Sequence, residues 1–172
     1  GDPLGSIMAL AREPGERLQT AQREYELRHF SDPDLRAFWK NGVIDVVRVQ
    51  TKHARRTANE ILDRPATRFL SVLEFENESE DPAEDPIPIF VDRGFPDSLR
   101  ELKFWARHRA PDYRPLYPRL ARIERLDLFR PAHLGIPDLP AARSLRVVAF
   151  DKAQLVSLAH ANLPRLESLC LA

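Results

Sequence analysis

The side chains that most often carry catalysis are scattered along this chain of 172 residues. None of the five histidines lies at a metal-ligand spacing from another, and there is no Cys-x-x-Cys pair, so the sequence predicts no zinc site. The single cysteine, Cys170, has no histidine near it in sequence that would activate it. No glycine-rich phosphate loop occurs. We therefore expect no enzyme activity, no metal and no cofactor.

Aromatic and charged residues at recurring positions point to binding instead. Trp105 and Phe129 occupy the same position in two successive apolar blocks, with Glu76 in the block before them and Asp151 in the block after. An aromatic anchor inside a polar rim is typical of a protein-interaction hot spot. The alternative is that a connector folds back over the two rings and buries them.

A second position, two residues earlier in each block, alternates in charge. It reads Arg48, Glu74, Lys103, Asp127, Ala149 and Cys170. Opposite charges on neighbouring strands stabilise a sheet by roughly 0.2–1 kcal/mol per pair, so this column has a structural interpretation as well as a recognition one. The column before it reads Val46, Val72, Glu101, Arg125, Val147 and Ser168. The predicted partner-binding set is Trp105, Phe129, Glu76, Lys103, Arg125, Asp127 and Asp151.

Six short blocks must position these residues, and each has three large apolar residues at positions 1, 4 and 6. The blocks are Ile44-Val47-Val49, Leu70-Leu73-Phe75, Leu99-Leu102-Phe104, Ile123-Leu126-Leu128, Leu145-Val148-Phe150 and Leu166-Leu169-Leu171. Their starts are separated by about 20 to 30 residues, which indicates a repeat architecture. In such a repeat the three apolar residues face the core, and the residues between them line the opposite face of a parallel sheet.

The segments around the blocks are predicted as follows. Residues 1–7 resemble a tag remnant, and residues 8–42 form a helical cap with one helix over 15–30 and a second that begins at Pro33 and buries Leu35, Phe38 and Trp39. Connectors 53–63 and 152–161 are helical, whereas 106–119 and 130–140 are extended or 3₁₀.

The connector from Glu76 to Asp97 is the most acidic part of the chain. Residues 74–97 hold nine acidic side chains and one basic one, whereas residues 100–130 hold nine Lys or Arg against four acidic residues. We expect a protruding, partly mobile loop, with the alternative that it lies on the basic repeats. A surface with both signs of charge favours a protein partner that also carries both signs over a polyanion.

The last block, Leu166 to Leu171, predicts an edge strand with apolar residues facing an uncovered core. Three explanations compete: the natural chain continues past Ala172, a second copy covers the edge, or the end of the chain is frayed. The second of these predicts self-association through the C-terminal edge strand.

The block pattern resembles that of leucine-rich-repeat proteins over about residues 43–172. Two pairs of segments are similar to irregular bacterial repeat proteins that carry a short domain ahead of the repeats. The first pair is 38–44 (FWKNGVI) with 64–70 (RPATRFL), and the second is 139–148 with 163–169. The resemblance implies a repeat solenoid that binds proteins. This chain departs from the family pattern in one respect. The pattern has an asparagine eight residues after the first apolar residue of a block, and here those positions are occupied by Lys52, Glu78, Arg107, Pro131 and Ala153.

These observations predict an α/β leucine-rich-repeat solenoid of about six irregular repeats over 43–172, which binds a protein partner through its concave face. The 26 basic and 26 acidic residues balance, so nucleic acid is a disfavoured partner. The chain contains no run of about 20 apolar residues, so no membrane span is predicted. A single cysteine is typical of a protein of the reducing cytoplasm. The alternatives are the recognition part of a larger enzyme or effector, and a regulated protease substrate or inhibitor that uses the acidic 76–97 loop.

Overall fold

A sheet of seven strands dominates the computed structural model, which describes residues 30, 33–40, 43–108, 110–129, 131, 138–148, 156 and 158–172. The strands lie in the sheet in the order in which they occur in the chain. They are β1 (Leu35–Lys40), β2 (Val43–Thr51), β3 (Val72–Asn77), β4 (Glu101–Ala106), β5 (Arg125–Phe129), β6 (Ser144–Val148) and β7 (Ser168–Leu171). β1 pairs antiparallel with β2, and every later neighbour pair is parallel.

The connectors between parallel strands carry short helices. The elements described in full include the α-helices α1 (Ala54–Asp63) and α2 (Ile87–Arg93) and the 3₁₀-helices Pro65–Phe69, Pro82–Glu84 and Arg114–Arg119. The predicted helix over 53–63 and the predicted 3₁₀ structure within 106–119 are thus confirmed. Val156 and residues 158–160 are helical, in agreement with the helix predicted there. Most of 130–140 lies outside the described residues.

The apolar positions of the first four blocks form the core, as their spacing predicts. All twelve of these side chains are buried, from Ile44 in β2 to Leu128 in β5. Aromatic rings fill the space between the sheet and the connectors: Phe75 stacks on Phe104 with ring centroids 5.5 Å apart, and Phe90 of α2 meets both rings edge-on. Helices therefore cover one face of the sheet, and the other face carries polar residues.

The same hydrogen-bond pattern recurs where the chain enters each of the last four strands. Two consecutive N–H groups donate to a single carbonyl oxygen of the preceding repeat. Arg100 and Glu101 donate to Ser71, and Glu167 and Ser168 donate to Arg143, over distances of 2.8–3.0 Å. In the same way, the carbonyl oxygens of Arg100 and Glu124 accept two N–H groups each at the entries to β5 and β6. Successive parallel strands from β3 to β7 are thus joined at equivalent points.

The register of the fifth block differs from the prediction. Leu145 pairs with Leu126, and Val147 pairs with Leu128, so the buried triplet is Ala142, Leu145 and Val147 rather than Leu145-Val148-Phe150. The first apolar residue of this repeat is an alanine, which is too small to be recognised by a search for large apolar residues. Parallel hydrogen bonding to β5, rather than side-chain size, sets this register.

The second helix predicted for the cap is wrong, because residues 35–40 form strand β1. Leu35 and Ala37 are buried while Arg36 and Phe38 are exposed, and this alternation fits a strand. Leu35, Phe38 and Trp39 also fit helical spacing, and so short a run does not separate the two interpretations. Pairing with β2 selects the strand over the helix, because an antiparallel strand satisfies the N–H and C=O groups along the edge of β2. The other parts of the predicted cap, including the 15–30 helix, lie almost entirely outside the described residues.

The acidic connector is also more ordered than predicted. It contains the 3₁₀-helix Pro82–Glu84 and helix α2, in which Ile87 and Phe90 are buried in the core. The apolar run 87–91 anchors the segment, and the acidic residues before it remain at the surface. The coarse fold class, a mixed α/β chain with a mostly parallel sheet, is confirmed.

Candidate functional site

The face of the sheet opposite the helices, here called the open face, carries the predicted site residues. Its central column, the charge row, runs across five parallel strands. The charge row consists of Arg48, Glu74, Lys103, Asp127 and Arg146, one each from β2 to β6. Arg146 takes the place predicted for Ala149, because of the corrected register of β6, and Ala149 lies outside the described residues.

Neighbouring members of the charge row alternate in sign, and three of the four neighbouring pairs form ion pairs. Glu74 is shared, since its two carboxylate oxygens lie 3.0 Å from Arg48 Nε and 2.7 Å from Lys103 Nζ. Asp127 Oδ2 lies 3.6 Å from Arg146 Nη1, which is a looser contact. The row therefore stabilises the strand order, as its alternation suggests, and it also presents charge to the groove described below.

Asp127 is the one buried acidic residue among those described, with 8% of its surface exposed. Burial is the largest influence and raises the pKa of its carboxyl group, while Arg146, a hydrogen bond from the Trp105 side chain and Lys103 act in the opposite direction. Its Oδ1 atom accepts no hydrogen bond from the described residues. Burial therefore outweighs three favourable neighbours, which makes this carboxylate a costly feature of the open face.

Trp105 and Phe129 lie side by side on the open face, as predicted. Their ring centroids are 6.1 Å apart with planes tilted by 45°. Trp105 keeps 36% of its surface exposed, and Phe129 is partly buried. The two rings thus lie together as predicted, with Trp105 exposed and Phe129 only partly so.

A buried tyrosine holds the strand that carries Phe129. The hydroxyl group of Tyr113 lies 3.0 Å from the carbonyl oxygens of Phe104 and Phe129, on two neighbouring strands. Burial raises the pKa of Tyr113 far above its usual range, so the group stays a neutral donor. Tyr113 thus ties β4 to β5 beside the aromatic pair. No sequence signal marks Tyr113, because one tyrosine in a proline-rich connector carries no pattern.

The other predicted site residues have different surroundings. Glu76 faces Gln50 on one side and Trp105 on the other in the strand register, and it makes no ion pair or hydrogen bond within the described part of the chain. Arg125 lies in the neighbouring column and pairs with Glu101 at 2.8 Å. Asp151 lies outside the described residues, and the position predicted for it, next to Phe129, belongs to Val148.

A groove of about 470 Å³ runs along the open face from β1 to β6. Its side chains are mostly charged, and Trp105 is the exposed aromatic residue among them, since Phe75 is buried in the core. The polar lining consists of Asp34, Arg36, Arg48, Gln50, Glu74, Glu76, Lys103, Asp127 and Arg146. Asp34 and Arg36 were missed by the sequence analysis, because they belong to the segment predicted as a helical cap. Strand alternation of Leu35, Ala37 and Trp39 is the signal that would have placed them on the open face.

Comparisons with protein-family models, curated proteins and solved structures gave no match. Among the described residues, no cluster of three or more His, Cys, Asp or Glu has a geometry for holding a metal ion. None of the described helices is both long enough and apolar enough to cross a membrane.

Proposed function

We propose that this chain is a protein-recognition module that binds its partner through the open face, centred on Trp105 and Phe129. The observation that carries the proposal is the aromatic pair itself: Trp105 is exposed in a groove whose other lining residues are mostly charged, and the ring of Phe129 lies beside it. Exposed tryptophan beside a second ring, bordered by charged residues, is the composition found at the centre of many protein interfaces.

The scaffold also suits binding. Trp105, Phe129 and the charge row lie on parallel strands whose backbones are fixed by neighbours on both sides. Side chains held in this way lose little conformational entropy when a partner associates, which favours affinity. We infer a binding role rather than catalysis, since the groove presents an anchor and paired charges.

We further propose that residues 43–172 form a leucine-rich-repeat solenoid. Three observations support this: the recurring apolar spacing, the sequential order of the strands, and the double hydrogen bond repeated at the entry to each of the last four strands. Such stacking, in which each repeat contacts its neighbours, is typical of solenoids. The open face is then the concave face of the repeat.

Affinity capture from the lysate of the source organism tests the binding proposal. The wild-type chain is compared with the Trp105→Ala/Phe129→Ala double variant, after circular dichroism has shown that both are folded. We expect a specific protein that is captured by the wild type and lost with the double variant.

Phe69→Ala provides the matched control, because Phe69 is 47% exposed and lies outside the strands. Removing this ring tests the loss of an exposed aromatic residue away from the groove. A partner that is lost with Phe69→Ala, or retained by the double variant, contradicts the assignment of the open face.

A further inference from the structure

One end of the groove carries more positive charge than its pairing requires. Arg36 of β1 lies directly opposite Arg48 of β2 in the antiparallel register, and both side chains are exposed. Like charges directly opposite each other destabilise a strand pair. Arg36 makes no ion pair or hydrogen bond within the described part of the chain, so its guanidinium group is free to bind a ligand.

Two acidic residues, Asp34 and Glu74, line the groove near this end. Glu74 binds Arg48 through one carboxylate oxygen and Lys103 through the other. Arg36 forms an ion pair with neither acidic residue within the described part of the chain, whereas Arg48 is held by Glu74 and packs over the ring of Phe38. The arginine pair, defined as Arg36 and Arg48, therefore keeps the unmatched donors of Arg36, which point to an anionic group in the ligand.

The arginine pair and the aromatic pair lie at a spacing that an extended peptide can span. They are separated by about three strand intervals, each roughly 4.8 Å, and by about two residues along the strands. The direct distance is thus on the order of 16 Å, which an extended chain covers in about five residues.

We propose that the groove binds an extended acidic segment of the partner protein, with a carboxylate at the arginine pair and a bulky apolar side chain at Trp105 and Phe129. In the partner, the residue that supplies the carboxylate and the residue that supplies the apolar side chain are four or five positions apart. This inference rests on the proposed function and adds the chemical class of the ligand.

Two features restrict the choice of ligand. Glu74, Glu76 and Asp127 line the same groove, so a uniform polyanion such as nucleic acid meets repulsion along its length. Glu76, which has no partner among the described residues, could instead attract a basic segment. Variants at Arg36 and Glu76 separate the two possibilities, because they remove opposite charges from one groove.

The probes are fluorescein-labelled ten-residue peptides on a serine–glycine background, measured by fluorescence anisotropy at low and physiological salt. The test peptide carries two adjacent glutamates with phenylalanine five positions from the first. Matched peptides replace the glutamates with lysines, or move the phenylalanine next to them, and a thymidine 20-mer provides the polyanion.

We expect the spaced acidic peptide to bind about threefold to tenfold more tightly than each matched peptide and than the oligonucleotide, with the difference reduced by salt. Arg36→Gln should weaken its binding by a similar factor, and Arg56→Gln, an exposed arginine of α1, should not. Glu76→Gln should leave the binding equal or tighter. Preference for the lysine peptide, preference for the oligonucleotide, or no effect of Arg36→Gln overturns the inference.

The capture experiment distinguishes this inference from the proposed function. A partner lost with the Trp105→Ala/Phe129→Ala variant but retained by Arg36→Gln leaves the open face as the binding site and contradicts the acidic ligand. A partner retained by all variants contradicts both. A partner lost with the double variant and with Arg36→Gln, but retained by Arg56→Gln, supports both.

Discussion

At the scale of single residues, Asp127 connects stability to binding. Its carboxylate lies beneath Trp105, between Lys103 and Arg146, and Oδ1 accepts no hydrogen bond from the described residues. A carboxylate in this state costs folding free energy when ionised, because burial removes water that the neighbouring cations only partly replace. Proteins often retain such costly groups at functional sites, and this one lines the proposed binding groove.

The raised pKa of Asp127 predicts a pH dependence of stability with a definite sign. Since the folded state binds this proton more tightly than the unfolded state, the contribution of Asp127 to stability falls as the pH rises from the unfolded pKa of about 3.9 through the raised folded pKa. We expect Asp127→Asn to lack this fall, so that its free energy of unfolding, relative to wild type, increases across that interval and then levels off.

Urea unfolding at a series of pH values measures this difference. Asp97→Asn is the matched control, because Asp97 pairs with Arg122 at the surface and is 91% exposed. An exposed ion pair contributes at most about 1 kcal/mol, so the control should change stability little. A difference between Asp127→Asn and wild type that is constant with pH would contradict the role of burial.

Tyr113 gives a second prediction at this scale. Tyr113→Phe removes the hydroxyl group beside the Phe104 and Phe129 carbonyl oxygens without changing the ring. A buried acceptor left without its donor costs about 1–3 kcal/mol, so we expect a loss of this size in urea unfolding. Weaker binding of the captured partner should accompany it, because Tyr113 positions the strand that carries Phe129. Unchanged stability would show that water replaces the hydroxyl group.

At the scale of elements, α2 turns the acidic connector into part of the core. Phe90 contacts Phe75, Phe95 and Phe104, with ring centroids 5.0–6.1 Å apart. The acidic residues around it pair with basic residues of other segments: Glu78 binds Arg107 at 2.6 Å, and Asp97 binds Arg122. This agrees with the alternative that the segment lies on the basic part of the chain. The alternative of a regulated protease substrate or inhibitor that uses residues 76–97 stays a prediction.

Phe90→Ala tests this packing. Removing a buried phenylalanine typically costs about 3–5 kcal/mol, and here it also frees the helix from the core. We expect residues 76–97 to resist limited proteolysis in the wild type and to be cut early in Phe90→Ala. Ile89→Ala, which removes a partly buried residue of the same helix, should retain most of the protection. Rapid cleavage of the wild type within this segment would contradict the prediction and favour a regulated substrate.

At the scale of the whole molecule, the charge is balanced in number but arranged in rows. The chain has 26 basic and 26 acidic residues, and on the open face their signs alternate from strand to strand. At one end of the sheet β1 pairs antiparallel with β2 and is itself the edge strand within the described chain. On the outer side of β7 no strand of the described chain pairs with it, and Leu169 is 44% exposed.

The uncovered β7 edge predicts self-association. An exposed apolar edge strand offers unpaired N–H and C=O groups to a second copy. We expect sedimentation velocity to show concentration-dependent association of the wild type, and Leu169→Lys to reduce it by placing charge at the edge. Val156→Lys is the matched control, because Val156 is an exposed valine outside the sheet. A wild type that stays monomeric at high concentration would contradict the prediction.

Local sequence determined much of the sheet. The apolar spacing specified which residues of β2 to β5 face the core, because large side chains at positions 1, 4 and 6 of a block have one low-energy arrangement in a parallel stack. It therefore also identified Trp105, Phe129, Lys103 and Asp127 as neighbours on the opposite face, and helix α1 followed from its own composition.

Tertiary structure decided the remainder, since those choices depend on contacts that no single segment contains. Residues 35–40 fit helix and strand equally, and the free edge of β2 selects the strand that brings Arg36 opposite Arg48. In the fifth repeat Ala142 is too small to signal a core position, and pairing with β5 sets the register that places Arg146 beside Asp127. The groove exists only after both choices, because it joins β1 to β6 across the sheet.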